Sequence, residues 1–239
     1  MKVLSKDEYK KYFYYEELFY ITKYFGDVVS KALKGNFDLK YCDKGRWWYS
    51  GWNNHKRMVI TLFPSKGITY PIIWGYNYDF IPQLNNQNKL IWHRTEKAFH
   101  LDIEDAYYNY VSVPPNIKQT EEDFLNPEQN CKYQYELPMW TNNLEFALKY
   151  IDDVVKRNIP FMIDWYQRVQ TIEDVIGELY KQIAMPSQYG HWNEYYTKAF
   201  LLAKIKCIDE ALDIMGQIYH PNEIPSKIIE KLYKTSQLD

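Results

Sequence analysis

Cysteine is scarce in this chain, which holds only Cys42, Cys131 and Cys207. The three are odd in number, far apart and never in a Cys-x-x-Cys pair. This usage argues against a disulfide framework and against a thiolate zinc site. It suits a reducing compartment, and we expect the protein in the cytoplasm.

A charge excess is also missing. The 29 Lys and Arg residues against 31 Asp and Glu residues give a formal net charge of -2. No overall field therefore recruits nucleic acid or an anionic membrane, and we expect neither as a partner. The bias of the basic residues toward lysine, with frequent Asn, Ile and Tyr, indicates an AT-rich bacterial genome.

Long apolar runs and signature motifs are absent as well. The longest apolar segments, such as 58–63, are too short to span a bilayer. Residues 1–8 turn charged at once, where a secretory signal needs an uninterrupted apolar segment, so the sequence predicts no export. Neither a phosphate-binding glycine motif nor Gly-x-Ser-x-Gly occurs. We therefore expect no cofactor and name no catalytic residue.

Aromatic residues are abundant instead, with 24 Tyr, 8 Trp and 11 Phe. Such rings bury large areas yet carry polar ends, so they suit a core, a ligand platform or a partner surface. They are densest over residues 46–52, which hold three tryptophans and a tyrosine.

The pattern of the first half predicts a helix followed by an antiparallel sheet. Apolar residues recur at helical spacing over 18–32, and Gly35 is a stop signal. Segments rich in aromatic and β-branched residues then predict strands: 37–41, 46–52, 56–63, 68–76, 89–93 and 132–137. The short links between the first four indicate antiparallel neighbours. Pro71 has no N–H to donate, which predicts an edge or bulged strand.

Beyond Pro138 the sequence predicts only helices. Asn142 and Glu145 have capping spacing ahead of an apolar stripe that Pro160 ends or kinks. Thr171 is the N-cap candidate of the next stripe.

A helical hairpin over 195–218, with a tight turn at 204–207, completes the pattern. We therefore expect an α+β fold, with a sheet region over 1–137 and a helical region over 138–239 packed on it. The two regions are expected to form one continuous domain.

The order of helix, aromatic sheet and helices with a break at Pro160-Phe161 resembles a bacterial family of domains of unknown function. The resemblance covers most of the chain and implies no catalytic residues. Because relatives of such domains sit near toxin-immunity or mobile-element genes, it implies a protein-binding role. The hairpin over 195–218 resembles one tetratricopeptide-type unit, but a solenoid needs about three such repeats.

The tryptophan-rich stretch is one candidate binding site. On a strand, Trp48 and Trp52 share one face while Trp47 and Tyr49 share the other. If one face is core, the opposite pair can stack on a sugar or a base, or anchor a partner. The alternative interpretation is that helices cover both faces.

Two polar segments are further candidates. Glu121, Glu122 and Asp123 can present negative charge to a basic partner such as a nuclease toxin, although such a run is usually a solvated loop. His93, His100 and Asp102 are weak candidates for a metal or acid–base site. Extended backbone puts the last two on one face, but His93 lies on another segment and no established metal motif is present.

The sequence thus favours a non-catalytic protein that binds another protein, as an immunity or regulatory factor. One alternative is a small-ligand or carbohydrate-binding module that uses the tryptophan-rich stretch. A metal-dependent hydrolase built around His93, His100 and Asp102 is the third hypothesis.

Overall fold

The structure is a computed structural model that describes residues 18–42, 46–62, 69–85, 87, 89–106, 136–138, 144–184, 193–219 and 223–236. Six helices lie within these ranges: α1 (Leu18–Leu33), α2 (Leu144–Arg168), α3 (Ile172–Ala184), α4 (Asn193–Lys204), α5 (Ile208–Ile218) and α6 (Ile224–Ser236). None of the helices described is long and apolar enough to cross a membrane.

The same ranges contain eight strands: β1 (Lys40–Cys42), β2 (Trp47–Tyr49), β3 (Lys56–Leu62), β4 (Thr69–Tyr78), β5 (Gln83–Leu84), β6 (Leu90–Ile91), β7 (Ile103–Ala106) and β8 (Glu136–Pro138). Six form one sheet in the order β1-β2-β3-β4-β7, with β8 paired to β4. The pairs β1–β2 and β2–β3 are antiparallel, as the short links predict, and the pair β4–β8 is antiparallel as well. Strands β5 and β6 form a separate antiparallel pair. The predicted α+β fold is confirmed.

Of the two alternatives expected at Pro71, an edge strand is wrong, because β4 lies between β3 and β7 in the sheet, and a bulged strand stays a prediction. Pro71 sits near the start of β4, opposite Glu136 of β8.

The described residues group into two compact units. The first draws on Met1–Gly51, Met58–Trp74 and Asp105–Asp164, and the second on Trp52–Arg57, Gly75–Glu104 and Trp165–Asp239. The division expected at residues 137 and 138 stays a prediction.

In the first unit, helix α1 ends where the sequence predicts. Gly35 has a φ of 95°, a conformation that glycine adopts without steric cost. The N–H groups of Lys34 and Phe37 donate to carbonyls of the last turn. Trp48 of β2 is buried, and its Nε1 donates to Ser30 Oγ of α1 at 2.8 Å. Helix α1 therefore packs on the tryptophan-rich strand.

Helix α2 does not end at Pro160, contrary to one of the two expected outcomes. It continues to Arg168, and the proline is exposed. Its neighbours Ile159 and Met162 are buried, and this packing sustains the helix where local preference alone predicts a stop.

In the second unit, the N-cap of α3 and the hairpin of α4 and α5 are confirmed. Thr171 Oγ1 accepts the N–H of Asp174, and Asp174 Oδ2 accepts the N–H of Thr171. Helix α4 ends at Lys204 and α5 begins at Ile208. Cys207 lies in the turn between them and is exposed. Helix α6 was not identified from the sequence.

Candidate functional site

A fully buried arginine organises one loop of the second unit. Arg57 on β3 is only 2% exposed. Its guanidinium donates to the carbonyl oxygens of His93 at 3.3 Å, Thr95 at 3.0 Å and Ala98 at 2.7 Å. These acceptors lie in residues 92–100, which we name the histidine loop. One side chain therefore fixes the path of the loop.

The same guanidinium is held on its other sides. Asn77 Oδ1 of β4 accepts from its Nε at 3.0 Å and from its Nη2 at 2.7 Å. The rings of Trp52 and Phe99 each have their centroid 4.5 Å from the guanidinium carbon. A planar cation with five donors suits this arrangement, whereas a lysine does not. Arg57 is therefore a rigid support for the loop.

Asp102 lies just beyond the loop and is only 2% exposed. Its Oδ2 accepts from the backbone N–H of Tyr78 at 2.7 Å and from Asn77 Nδ2 at 3.1 Å. Its Oδ1 accepts from Gln83 Nε2 at 3.2 Å. Asn77 thus links the carboxylate to Arg57, and the network fixes the carboxylate in one orientation.

The two histidines of the loop meet above this carboxylate. The rings of His93 and His100 stack, with centroids 5.3 Å apart. His100 Nε2 lies 3.9 Å from Asp102 Oδ1, which is too long for a direct hydrogen bond. His93 Nδ1 and His100 Nε2 are both buried without a hydrogen-bond partner among the residues that the structure describes. The sequence did not predict that His93 would approach the other two residues.

Burial shifts the pKa values of all three groups. It raises the pKa of Asp102 to about 6, although the N–H groups of Tyr78, Asn77 and Gln83 oppose this shift. It lowers the pKa of His100 to about 4, and it also lowers the pKa of His93, with His100 contributing in the same direction. At neutral pH both imidazoles are therefore neutral and the carboxylate is mostly ionised.

Buried polar atoms without partners are rare, because each costs about 1–3 kcal/mol. Two such nitrogens on stacked rings, one of them 3.9 Å from a buried carboxylate oxygen, are therefore a candidate binding site. We call His93, His100 and Asp102 the ligand site. Within the described ranges, no group of three or more His, Cys, Asp or Glu side chains is placed to hold a metal ion.

The structure buries much of the tryptophan-rich stretch. Trp48 and Tyr49 are neighbours in β2 and both are buried, so both faces of the strand are covered at this point. Trp48 also stacks on Tyr41, with centroids 4.8 Å apart. Trp47 is half-buried, and Trp52 lies beyond the strand end and is 38% exposed. Glu121, Glu122 and Asp123 lie outside the described residues.

One surface on the helices of the second unit was not predicted from the sequence. Tyr180 of α3 is 49% exposed, yet its hydroxyl donates to Glu210 Oε1 of α5 at 2.9 Å. Lys198 Nζ of α4 lies 3.7 Å from the centroid of the Tyr180 ring and 3.2 Å from Glu210 Oε1. Tyr195, one turn before Lys198, is also exposed. We call these four residues the tyrosine surface.

The side chains that support the ligand site were also not predicted from the sequence. They are Arg57, Asn77 and Gln83. One signal was present: Arg57 shares a strand face with Val59 and Thr61, both buried, so a charged side chain stands where an apolar one is expected.

The chain matches no protein-family model, and comparisons with curated proteins and with solved structures give no significant match.

Proposed function

We propose that the second unit binds a small polar ligand at His93, His100 and Asp102. The observation that carries this proposal is the pair of buried imidazole nitrogens without partners, one of them 3.9 Å from a buried carboxylate oxygen. Neutral imidazoles and a carboxylate offer both donors and acceptors to a ligand. The small-ligand hypothesis drawn from the sequence is kept, but it moves from the tryptophan-rich stretch to the histidine loop.

Preorganisation supports a binding role. Arg57 fixes three loop carbonyls, and Asn77 and Gln83 fix the carboxylate of Asp102. The side chains of the site therefore lose little conformational freedom when a ligand binds. Less ordering on binding leaves more of the interaction energy for affinity. The rings of His93 and His100 are only partly buried, so the histidine loop reaches the surface.

A thermal-shift screen with amines, alcohols, carboxylic acids, sugars and nucleotides tests this function. A ligand at 100 times its dissociation constant stabilises the folded state by about 2.7 kcal/mol, which raises the melting temperature by about 5–10 °C in a chain of this size. We expect at least one compound to act on the wild type and not on His100→Ala.

The matched control is His55→Ala. His55 lies in the same unit but is exposed, and its Nδ1 pairs with Asp79 at 3.1 Å instead of facing the loop. The control variant should respond like the wild type. Equal shifts in His100→Ala and in the wild type would refute the proposal, and His93→Ala supplies the comparison if His100→Ala does not fold.

Binding of another protein, as an immunity or regulatory factor in the bacterial cytoplasm, is a second proposal. It retains the family resemblance drawn from the sequence, and the tyrosine surface favours it. Tyr180 is exposed but already held by Lys198 and Glu210, so a partner would not need to immobilise it. Tyrosine is also enriched at protein interfaces.

A pull-down from lysate, followed by titration of any stoichiometric partner, tests the second proposal. Tyr180→Ala should weaken the affinity at least about tenfold, as expected for an interface anchor. Ile224→Ala is the control, since Ile224 on α6 has a similar exposed fraction of 44% and lies outside the tyrosine surface. Equal affinities for the two variants would contradict a role for Tyr180.

A further inference from the structure

We infer that the group bound at the ligand site is a protonated primary amine. This inference rests on the proposed function, and it names the chemical class of the ligand. It follows from the hydrogen-bond capacity, the spacing and the charge of His93, His100 and Asp102.

The hydrogen-bond capacity of the site favours a donor. Within the described residues, Asp102 Oδ1 accepts one bond, from Gln83, so a second acceptor position is open on this oxygen. A neutral imidazole has one acceptor nitrogen, which His93 can present at Nδ1 and His100 at Nε2. Two of these acceptors, His100 Nε2 and Asp102 Oδ1, lie 3.9 Å apart, and His93 supplies the third on the ring stacked against His100. A primary ammonium group has three N–H donors and no acceptor, which complements this set.

The spacing favours an ammonium nitrogen over a metal ion. Two acceptors that share one ammonium at about 2.9 Å lie roughly 4–5 Å apart. Two ligands of a tetrahedral zinc ion, each about 2.1 Å from the metal, lie only about 3.4 Å apart. The observed distance of 3.9 Å between His100 Nε2 and Asp102 Oδ1 is close to the ammonium range.

The charge favours a cation. Asp102 receives its hydrogen bonds from neutral N–H groups of Asn77, Tyr78 and Gln83. Arg57 donates to Asn77, which in turn donates to the carboxylate, and Arg57 donates to three loop carbonyls as well. A buried carboxylate with only neutral donors is stabilised by an added cation and destabilised by an added anion.

The pH dependence of binding follows from the same groups. The carboxylate of Asp102 must be ionised to attract the amine, so affinity is present above its pKa of about 6 and is lost as pH falls through this value. His100 lies beside the carboxylate, His93 interacts electrostatically with it, and Arg57 is linked to it through Asn77. Any protonation of the histidines at low pH weakens cation binding further. The pKa values of Tyr78 and Tyr196 are raised by burial, so both phenols stay neutral.

The test is a titration of the full chain with methylammonium chloride, followed by NMR signals of the five histidine rings. A probe of two heavy atoms binds in the millimolar range at best, so the titration extends to about 100 mM. We expect saturable shifts of His93 and His100 at pH 7.5, and about tenfold weaker binding at pH 5 because of Asp102 protonation.

Three probes and one internal reference control the result. Tetramethylammonium chloride has the same charge but no N–H donor, methanol is a neutral donor, and sodium acetate is an anion. Only methylammonium should shift the two histidines saturably. His55, which is exposed and paired with Asp79, reports weak association with a surface carboxylate.

The outcomes separate this inference from the proposed function. If methanol or acetate instead gave saturable shifts that His100→Ala abolished, the proposed ligand site would stand. The inference that its ligand is an amine would be wrong. Tighter methylammonium binding at pH 5 than at pH 7.5 would also overturn the amine. If no probe shifted the NMR signals of His93 and His100 at either pH value, both the amine inference and the proposed ligand site would be rejected.

Discussion

Replacement of Gly75 by alanine is expected to destabilise the protein by about 4 kcal/mol or more. A Cβ atom at this position in β4 would lie 2.9 Å from Cα of Glu104 and closer still to the carbonyl oxygen of Ile103. Both contacts are with backbone, which cannot move aside as a flexible side chain can. Tyr166 Oη holds the glycine in place, since it accepts from the N–H and donates to the carbonyl of Gly75.

Gly177→Ala is the matched control for this substitution. Gly177 lies inside helix α3, is exposed, and has nothing within 4 Å of an added Cβ. Alanine there should stabilise the protein by about 0.5–1 kcal/mol, because glycine is a poor helix former. Urea unfolding of the two variants measures both effects. A midpoint for Gly75→Ala close to that of the wild type would contradict the close approach of Gly75 to β7.

Arg57→Met is expected to cost about 3–5 kcal/mol, because it removes the charged donor from several buried acceptors. The substitution removes the guanidinium donor from Asn77 Oδ1 and from the carbonyls of His93 and Ala98, whereas the carbonyl of Thr95 still accepts the N–H of Ala98 at 3.4 Å. Methionine is similar in length, so the loss of volume is small and the loss of hydrogen bonds dominates. We also expect the histidine pair to lose its ordered stacking, which the NMR signals of His93 and His100 would show.

Arg94→Met is the control. Arg94 also belongs to the second unit and stacks on Trp92, with its guanidinium carbon 3.8 Å from the ring centroid, but its side chain is exposed. It donates to the carbonyl of Asp79. Exposed substitutions of this kind usually change stability by less than about 0.5 kcal/mol. If Arg57→Met unfolds at the same urea concentration as Arg94→Met, Arg57 is not the support described above.

Much of the fold follows from local signals in the sequence. Gly35 and Thr171 mark helix boundaries because the backbone and side-chain requirements at these positions are local. The strands β2 to β4 follow from their aromatic and β-branched composition. The helix end expected at Pro160 and the edge strand expected at Pro71 were wrong, because packing around α2 and pairing of β4 outweighed local preference. Both effects depend on distant residues.

The candidate site was only partly predictable. His93, His100 and Asp102 were identified by residue type, but their approach depends on the path of the loop. That path depends on Arg57, which is 36 residues before His93. Spacing along the chain cannot reveal such a contact. The tyrosine surface likewise depends on how three helices pack, so Tyr180 gave no local signal.

The way in which Arg57 holds the histidine loop constrains some positions and leaves others open to substitution. Arg57 contacts main-chain carbonyl oxygens at positions 93, 95 and 98, and every residue type supplies a carbonyl. The exposed residues Glu96 and Lys97 can therefore change without loss of these three bonds. Descendants of this protein can therefore accumulate substitutions at these two positions while the main-chain path of the loop is kept.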